Sequence, residues 1–138
     1  MIRGLHHAGI SVSDLDRSIE FYRKLGLEVV QQVAFGGDAM DRITRLTGTR
    51  GRAAMLRADA LHLELFEFEA PQPRQVPRAV CDHGISHFCV EVTDLHAEYE
   101  RLKLMGVEFH CEPQVFGTAV ATYARDPDGN VIELLQVG

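Results

Sequence analysis

The sequence predicts an α+β fold made of two tandem modules with the element order βαβββ, at about residues 1–70 and 80–138. Two observations lead to this prediction. The chain repeats itself at a spacing of 80 residues, and the strand and helix patterns recur at the same places in both copies. Because 138 residues are the size of one ordinary domain, we expect the two modules to form a single domain over residues 1–138.

The repeat is clearest in GLHHAGISVSDL at residues 4–15 and GISHFCVEVTDL at residues 84–95. An ungapped alignment of the two copies matches identical residues along the first strand, the helix and the strand that follows. The matches are Gly4 with Gly84, His7 with His87, Val12 with Val92, Asp14 with Asp94, Leu15 with Leu95, Glu20 with Glu100, Gly26 with Gly106 and Glu28 with Glu108. Identity spread over this length indicates a duplicated structural unit.

Each copy begins with a strand and a helix. Apolar residues alternate over residues 5–12 and 85–92, as in a strand with two different faces. Asp14 or Ser13, and Asp94 or Thr93, are typical helix N-caps, and an apolar stripe with helical spacing follows in each copy. Gly26 and the equivalent glycine of the second copy stand where a left-handed C-terminal cap is expected.

Strand patterns fill the rest of both copies. The predicted strands are LEVVQQV at 27–33, AAMLRA, LHLELFEF, VEFHC at 107–111, TAVATYAR and NVIELLQV. DPDGN at Asp126–Asn130 predicts a hairpin turn between the last two strands. A connector with Pro71, Pro73 and Pro77 separates the copies, and an insertion with a weak helix at Asp38–Leu46 occurs only in the first.

Composition and charge exclude several classes of function. The net charge of -6 and the absence of a basic stripe argue against nucleic acid as a partner. We expect no membrane segment, because no apolar run approaches the roughly 20 residues that a spanning helix needs. No secretory signal pattern is present, so we expect a cytoplasmic protein. The three cysteines form no CxxC pair, and we interpret them as reduced packing residues: Cys81, Cys89 and Cys111.

Four polar residues are unexpected in strands that otherwise suit a core. By alternation, His7, Glu64, His87 and Glu133 all leave the sheet on the face away from the helices. Two carboxylates in one concavity require a counter-charge, and two imidazoles with two carboxylates suit a divalent ion that prefers N and O donors. Taken singly, each histidine has a structural alternative and each glutamate a solvated one. Recurrence in both copies favours the metal site.

The same segments resemble the vicinal oxygen chelate superfamily, which includes glyoxalase I, methylmalonyl-CoA epimerase, extradiol dioxygenases and bleomycin-binding proteins. LHHAGISVSDLDRSIEFYRKLGLEVV is similar to its opening strand and helix, GISHFCVEVTDL to its second opening, and YARDPDGNVIELLQ to its closing hairpin. The resemblance implies a glyoxalase-like fold, in which the modules form a curled mixed sheet around a cleft with one metal, usually in a homodimer.

Carried over residue by residue, the resemblance implies His7, Glu64, His87 and Glu133 as metal ligands. His6 is then expected on the helix side or at the sheet edge, and Glu67, of opposite parity to Glu64, is expected to be structural or solvated. The bound ion is expected to be Zn, Ni, Co, Mn or Fe.

The resemblance implies a metal-dependent lyase or isomerase of the glyoxalase I and epimerase type, acting on a small oxygen-rich substrate. Glu133, ranked first, and Glu64 are the expected catalytic bases beside a metal-bound carbonyl. One alternative is an Fe(II) extradiol-type dioxygenase using His7, His87 and Glu133, against which Glu64 argues as a fourth ligand. Another is a drug-binding protein without turnover, which generally lacks a full ligand set.

Two further groups bear on the substrate. Five arginines cluster in and after the insertion and suit either an anionic substituent or a solvated surface: Arg42, Arg45, Arg50, Arg52 and Arg57. Four other side chains are expected to form a partly apolar pocket on the cleft face: Phe66, Phe68, Cys89 and Tyr123.

Overall fold

The computed structural model describes residues 1–76 and 78–138. The chain divides into two compact units, Met1–Val76 and Pro77–Gly138, and each unit contains its own mixed sheet. The predicted connector has no regular structure from Gln72 to Val76, and Pro77 lies outside the described residues. The predicted α+β class is confirmed.

The first unit contains four strands and two helices in its described residues. These are β1 (Ala8–Ser11), α1 (Leu15–Lys24), β2 (Glu28–Gly36), α2 (Asp38–Thr44), β3 (Arg50–Ala58) and β4 (Leu61–Ala70). The sheet order is β1-β4-β3-β2, with β1 parallel to β4 and the other pairs antiparallel. The helix predicted in the insertion is present as α2.

The second unit repeats this plan with two differences in its described residues: it has no counterpart of α2, and it has an additional short strand. Its elements are β5 (Phe88–Glu91), α3 (Leu95–Leu104), β6 (Glu108–Phe109), β7 (Gln114–Phe116), β8 (Ala119–Arg125) and β9 (Val131–Gln136). The path is β5-β9-β8-β6, and β7 also pairs with β8. The strand predicted at residues 107–111 is shortened to β6, and β7 lies beyond the predicted range after a break. Pro113 lies in the break and has no N–H group to donate to a ladder.

Equivalent caps define the two repeated helices. Asp14 Oδ1 accepts a hydrogen bond of 3.0 Å from the backbone N–H of Arg17, and Asp94 Oδ1 accepts one of 3.0 Å from Ala97. Past the C-terminal ends, the two matched glycines adopt φ of 85° and 82°, which favours glycine over residues with a side chain. The predicted starts and ends of both helices are confirmed.

A second contact joins each helix to the last strand of its unit. The backbone N–H of Leu15 donates to Glu67 Oε2 at 2.6 Å, and that of Leu95 donates to Gln136 Oε1 at 2.8 Å. Arg52 Nη2 also donates to Glu67, at 2.8 Å. The structural alternative for Glu67 is thus the correct one.

The alternation of β4 and β9 separates a buried face from a polar one. Leu63, Leu65, Ile132 and Leu134 are each at most 1% exposed and form part of the core. The residues between them, including the two glutamates, are only half-buried. The helix-covered face therefore holds the apolar side chains, and the opposite face of each sheet can carry chemistry. Of the described helices, not one combines the length and apolar character needed to cross a membrane.

Candidate functional site

Each unit contains one pair of a histidine and a glutamate with the same geometry. Nε2 of His7 lies 3.0 Å from Oε2 of Glu64, and Nε2 of His87 lies 3.0 Å from Oε2 of Glu133. The exposed fractions of the side chains are 36% and 26% in the first pair and 27% and 20% in the second. These groups are accessible to a small ligand and yet partly shielded from water.

Strand register explains why the two pairs match. Each histidine stands one residue before a short strand, β1 or β5, that runs parallel to the last strand of its unit. Glu64 is opposite Gly9 on one side and Met55 on the other. Glu133 is opposite Cys89 and Tyr123 at the equivalent ladder positions. The repeated topology thus brings each imidazole to the carboxylate of its own unit.

The first pair has additional imidazoles beside it. Nδ1 of His7 lies 2.8 Å from Nδ1 of His6, and the His6 ring lies 5.7 Å from the His62 ring, centroid to centroid. His6 is exposed and contacts His7, so it belongs to the surroundings of the pair. His6 precedes β1, which is an edge strand of its sheet, so the structure favours the sheet-edge alternative for His6 over the helix side.

The second pair is bordered by a serine, a tyrosine and a cysteine. Ser86 Oγ lies 2.8 Å from Nδ1 of His87, and the Tyr123 ring lies 5.0 Å from the His87 ring. Desolvation, followed by the negative charge of Glu133, raises the pKa of the Cys89 thiol to about 11. Cys89 is therefore a neutral thiol at physiological pH.

All three cysteines are free, as predicted, but each of them is exposed. Their interpretation as packing residues is wrong. Cys89 lies in β5, and Cys81 and Cys111 lie in loops of the second unit.

The donor chemistry of the pairs suits a divalent ion. Each pair offers one imidazole nitrogen and one carboxylate oxygen, which Zn and the neighbouring transition metals accept. Within residues 1–76 and 78–138, no group of three or more His, Cys, Asp or Glu side chains is arranged to hold a metal ion. Each unit thus presents one two-donor pair, and the four-ligand centre stays a prediction.

A cavity of about 450 Å³ lies in the second unit, with Glu133 in its wall. Much of the lining is apolar: Phe116, Ala119, Ala121 and Leu135. Tyr123 also lines it, as the sequence predicts, together with the polar side chains of His110 and Gln114. Sequence reasoning missed His110. The available signal was the alternation of VEFHC, which places His110 on the face opposite Phe109. β6 ends at Phe109, one residue before this histidine.

The phenylalanines predicted for the pocket belong to the first unit. The rings of Phe66 and Phe68 each pack against Phe35, with centroid distances of 5.7 and 5.1 Å. All three are half-buried. They form an aromatic patch on the sheet face that also carries Glu64.

The basic cluster is largely engaged in local contacts. Arg50 lies 3.5 Å from Glu69, and Arg57 donates to a backbone carbonyl two residues along the chain. Arg52 contacts Asp16 and Glu67. These three arginines are therefore surface and structural groups. This outcome favours the solvated alternative for them over an anion site.

Comparison with known proteins yields relatives that match nearly the whole chain. A 2-epi-5-epi-valiolone epimerase from Actinomyces sp. is 38% identical, and the alignment covers 96% of this chain and 79% of the epimerase. A lactoylglutathione lyase from Pseudomonas aeruginosa is 29% identical, with coverage of 95% and 81%.

Solved structures share the fold. A glyoxalase family protein from Bacillus cereus superposes with a TM-score of 0.87 at 24% identity, covering 99% of this chain and 95% of that one. Glyoxalase I from Leishmania major gives a TM-score of 0.68 at 26% identity, with coverage of 98% and 87%. A sequence profile of one family matches residues 4–134. The chain belongs to the Glyoxalase/Bleomycin resistance protein/Dioxygenase superfamily.

Proposed function

We propose that this protein is a metal-dependent lyase or isomerase that moves a proton at the carbon beside a carbonyl of a small, oxygen-rich substrate. The observation that carries the proposal is the duplicated pair, with imidazole Nε2 and carboxylate Oε2 3.0 Å apart in both units. The similarity to an epimerase and to a lactoylglutathione lyase supports this reaction class.

The metal ligands in this proposal are His7, Glu64, His87 and Glu133, acting on one divalent ion within a single glyoxalase-like domain. Zn, Ni, Co, Mn and Fe all accept these donors. When bound, such an ion supplies Lewis-acid chemistry to two neighbouring oxygens of a substrate. The two pairs that share an ion belong either to one chain or to two copies in the expected homodimer.

Glu133 is the first choice as the base. It lies in the wall of the cavity, and its carboxylate is held by His87. A carboxylate in this position can take a proton from the α-carbon of a molecule in the cavity and return it. Cys89 cannot act as the base, because its thiol has a pKa of about 11 and therefore stays protonated at neutral pH. Glu64 is the candidate for proton transfer at the opposite face of the substrate.

Metal content and hydrogen exchange test the proposal together. Protein purified without chelator is expected to contain a divalent metal, and incubation in deuterium oxide is expected to label the α-position of unreacted substrate. Glu64→Gln and Glu133→Gln should differ in effect. One variant should chiefly lower metal occupancy, and the other should chiefly lower the exchange rate. Glu67→Gln is the matched control, since that side chain contacts Leu15 on the helix side.

Wild-type metal content and exchange rates in both variants would refute the acid–base proposal. Oxygen uptake with a catechol would instead indicate a dioxygenase, and tight drug binding by metal-free protein without turnover would indicate sequestration. A mixture of Glu64→Gln and Glu133→Gln chains tests whether the two pairs that hold one ion come from one chain or from two copies. Activity is restored in the mixture only if one ion takes its two pairs from two copies.

A further inference from the structure

The cavity of the second unit contains polar groups that the proposed proton transfer does not use. His110 and Tyr123 line it together with Glu133. The His110 and Tyr123 rings lie 5.9 Å apart, and the His110 backbone N–H donates to the Tyr123 carbonyl at 2.8 Å. The two side chains thus lie beside each other in the wall of the same cavity.

Arg125 determines which nitrogen of His110 carries the proton. Its Nε–H donates to His110 Nε2 at 2.9 Å, and its Nη1 donates to the Gly129 carbonyl at 2.6 Å. Because a guanidinium can only donate, His110 Nε2 must accept and the ring must be neutral with its proton on Nδ1. In the described part of the chain, that Nδ1–H group has no hydrogen-bond partner.

Tyr123 supplies a second donor. Its ring lies between those of His87 and His110, at 5.0 and 5.9 Å. A phenol hydroxyl can donate a hydrogen bond to an oxygen atom, and Tyr123 lies in the wall of the same cavity as His110.

The charge balance of the cavity limits the ligand. No lysine or arginine is among its lining residues, and Glu133 contributes a carboxylate. Arg125, the nearby cation, is already committed to His110 and Gly129. Apart from the ion that Glu133 is proposed to help hold, an anionic group in this cavity would find no counter-charge among the lining residues.

We propose that this cavity binds the uncharged, hydroxyl- or carbonyl-bearing part of the substrate, with His110 Nδ1–H and Tyr123 O–H donating to its oxygen atoms. Phe116 and Leu135 lie against its carbon skeleton. The inference rests on the proposed function and specifies its substrate class. For the part of the substrate held in this cavity, that class is a neutral polyhydroxylated ketone, because an anionic glutathione or CoA tail would find no lysine or arginine among the lining residues.

A binding experiment tests this assignment without requiring turnover. The probes are 2-keto-myo-inositol, an uncharged polyhydroxylated cyclic ketone, and the anionic hemithioacetal of methylglyoxal and glutathione. Dissociation constants are measured by NMR titration of metal-loaded protein. The ketone is expected to bind more tightly than the hemithioacetal, and His110→Ala and Tyr123→Phe should each weaken ketone binding by about 3- to 10-fold, the loss of one hydrogen bond.

Matched controls lie outside the cavity. His96→Ala removes an exposed imidazole on α3, and Tyr99→Phe removes a hydroxyl from a buried residue of the same helix. Both variants should therefore bind the ketone within about twofold of wild type. Long-range ¹H–¹⁵N spectra should show the His110 proton on Nδ1, and Arg125→Gln should remove that preference. Circular dichroism establishes that each variant is folded.

Three results would overturn the inference: tighter binding of the hemithioacetal, unchanged ketone affinity in both cavity variants, or no binding of the ketone. Its failure differs from failure of the proposed function. Deuterium exchange that requires Glu133 but occurs only with the anionic probe would refute the substrate class and retain the reaction. Ketone binding through His110 and Tyr123 without any exchange would refute the reaction and retain the cavity assignment.

Discussion

Replacement of Glu67 tests whether the two faces of β4 carry glutamates with different roles, one structural and one in metal binding. Glu64 and Glu67 lie three residues apart on opposite faces of the strand. Glu67 accepts hydrogen bonds from Leu15 at 2.6 Å and Arg52 at 2.8 Å, so we assign it to the attachment of α1. Glu67→Ala should therefore reduce stability, and Glu64→Ala should chiefly reduce metal binding.

The expected loss can be worked out from the two contacts. A hydrogen bond to an ionised acceptor contributes about 1.5–3 kcal/mol. The Arg52 side chain is 44% exposed, so its ion pair with Glu67 adds only about 0–1 kcal/mol. Glu67→Ala should therefore cost about 1.5–4 kcal/mol. Glu67→Gln keeps a neutral acceptor, as Gln136 does in the second unit, and should cost about 1–2 kcal/mol.

Urea unfolding at pH 7, followed by circular dichroism, measures these losses. The midpoint should fall in the order wild type, Glu67→Gln, Glu67→Ala with an unchanged m value, while metal content per chain remains that of wild type. The reasoning is refuted if Glu67→Ala unfolds within about 0.5 kcal/mol of wild type. It is also refuted if that variant loses metal to the same degree as Glu64→Ala.

Two other positions give independent predictions. A Cβ atom at Gly51 would lie 2.1 Å from the backbone oxygen of Glu67, so Gly51→Ala should cost at least about 1–3 kcal/mol in urea unfolding. A hydrogen bond from the Thr49 side chain, followed by backbone N–H donors, lowers the pKa of Asp41. The resulting stabilisation should be complete above the unfolded-state pKa of about 3.9 and disappear as pH falls through the lower folded-state pKa.

Each of these predictions has its own control. At Gly9 the nearest atom to an added Cβ would be 3.6 Å away, so Gly9→Ala should retain nearly the wild-type midpoint. Equal losses at the two glycines would contradict the steric explanation. For Asp41, the stability difference between wild type and Asp41→Asn should shrink from pH 5 to pH 3. A difference that stays constant over this range would contradict the linkage argument.

The local patterns of this chain determined much of its architecture. Capping aspartates, period-two strands and the turn at Asp126–Asn130 act over a few residues, so a single sequence predicts them. The duplication allowed the sequence to predict more than local structure, because two copies with the same alternation place both histidines and both glutamates at equivalent positions. The His7–Glu64 and His87–Glu133 contacts follow from this repeated register.

Tertiary structure decided the partners that lie far apart in the chain. Leu15 meets Glu67, and Arg125 fixes the ring of His110, only because particular strands pair in a particular register. Local periodicity predicts which face of a strand a side chain occupies. It does not predict which residue of a distant strand lies opposite, because strand register depends on how whole elements align. The proposed substrate cavity of the second unit therefore depends on strand pairing, whereas the repeated pattern of histidine and glutamate is a property of the sequence.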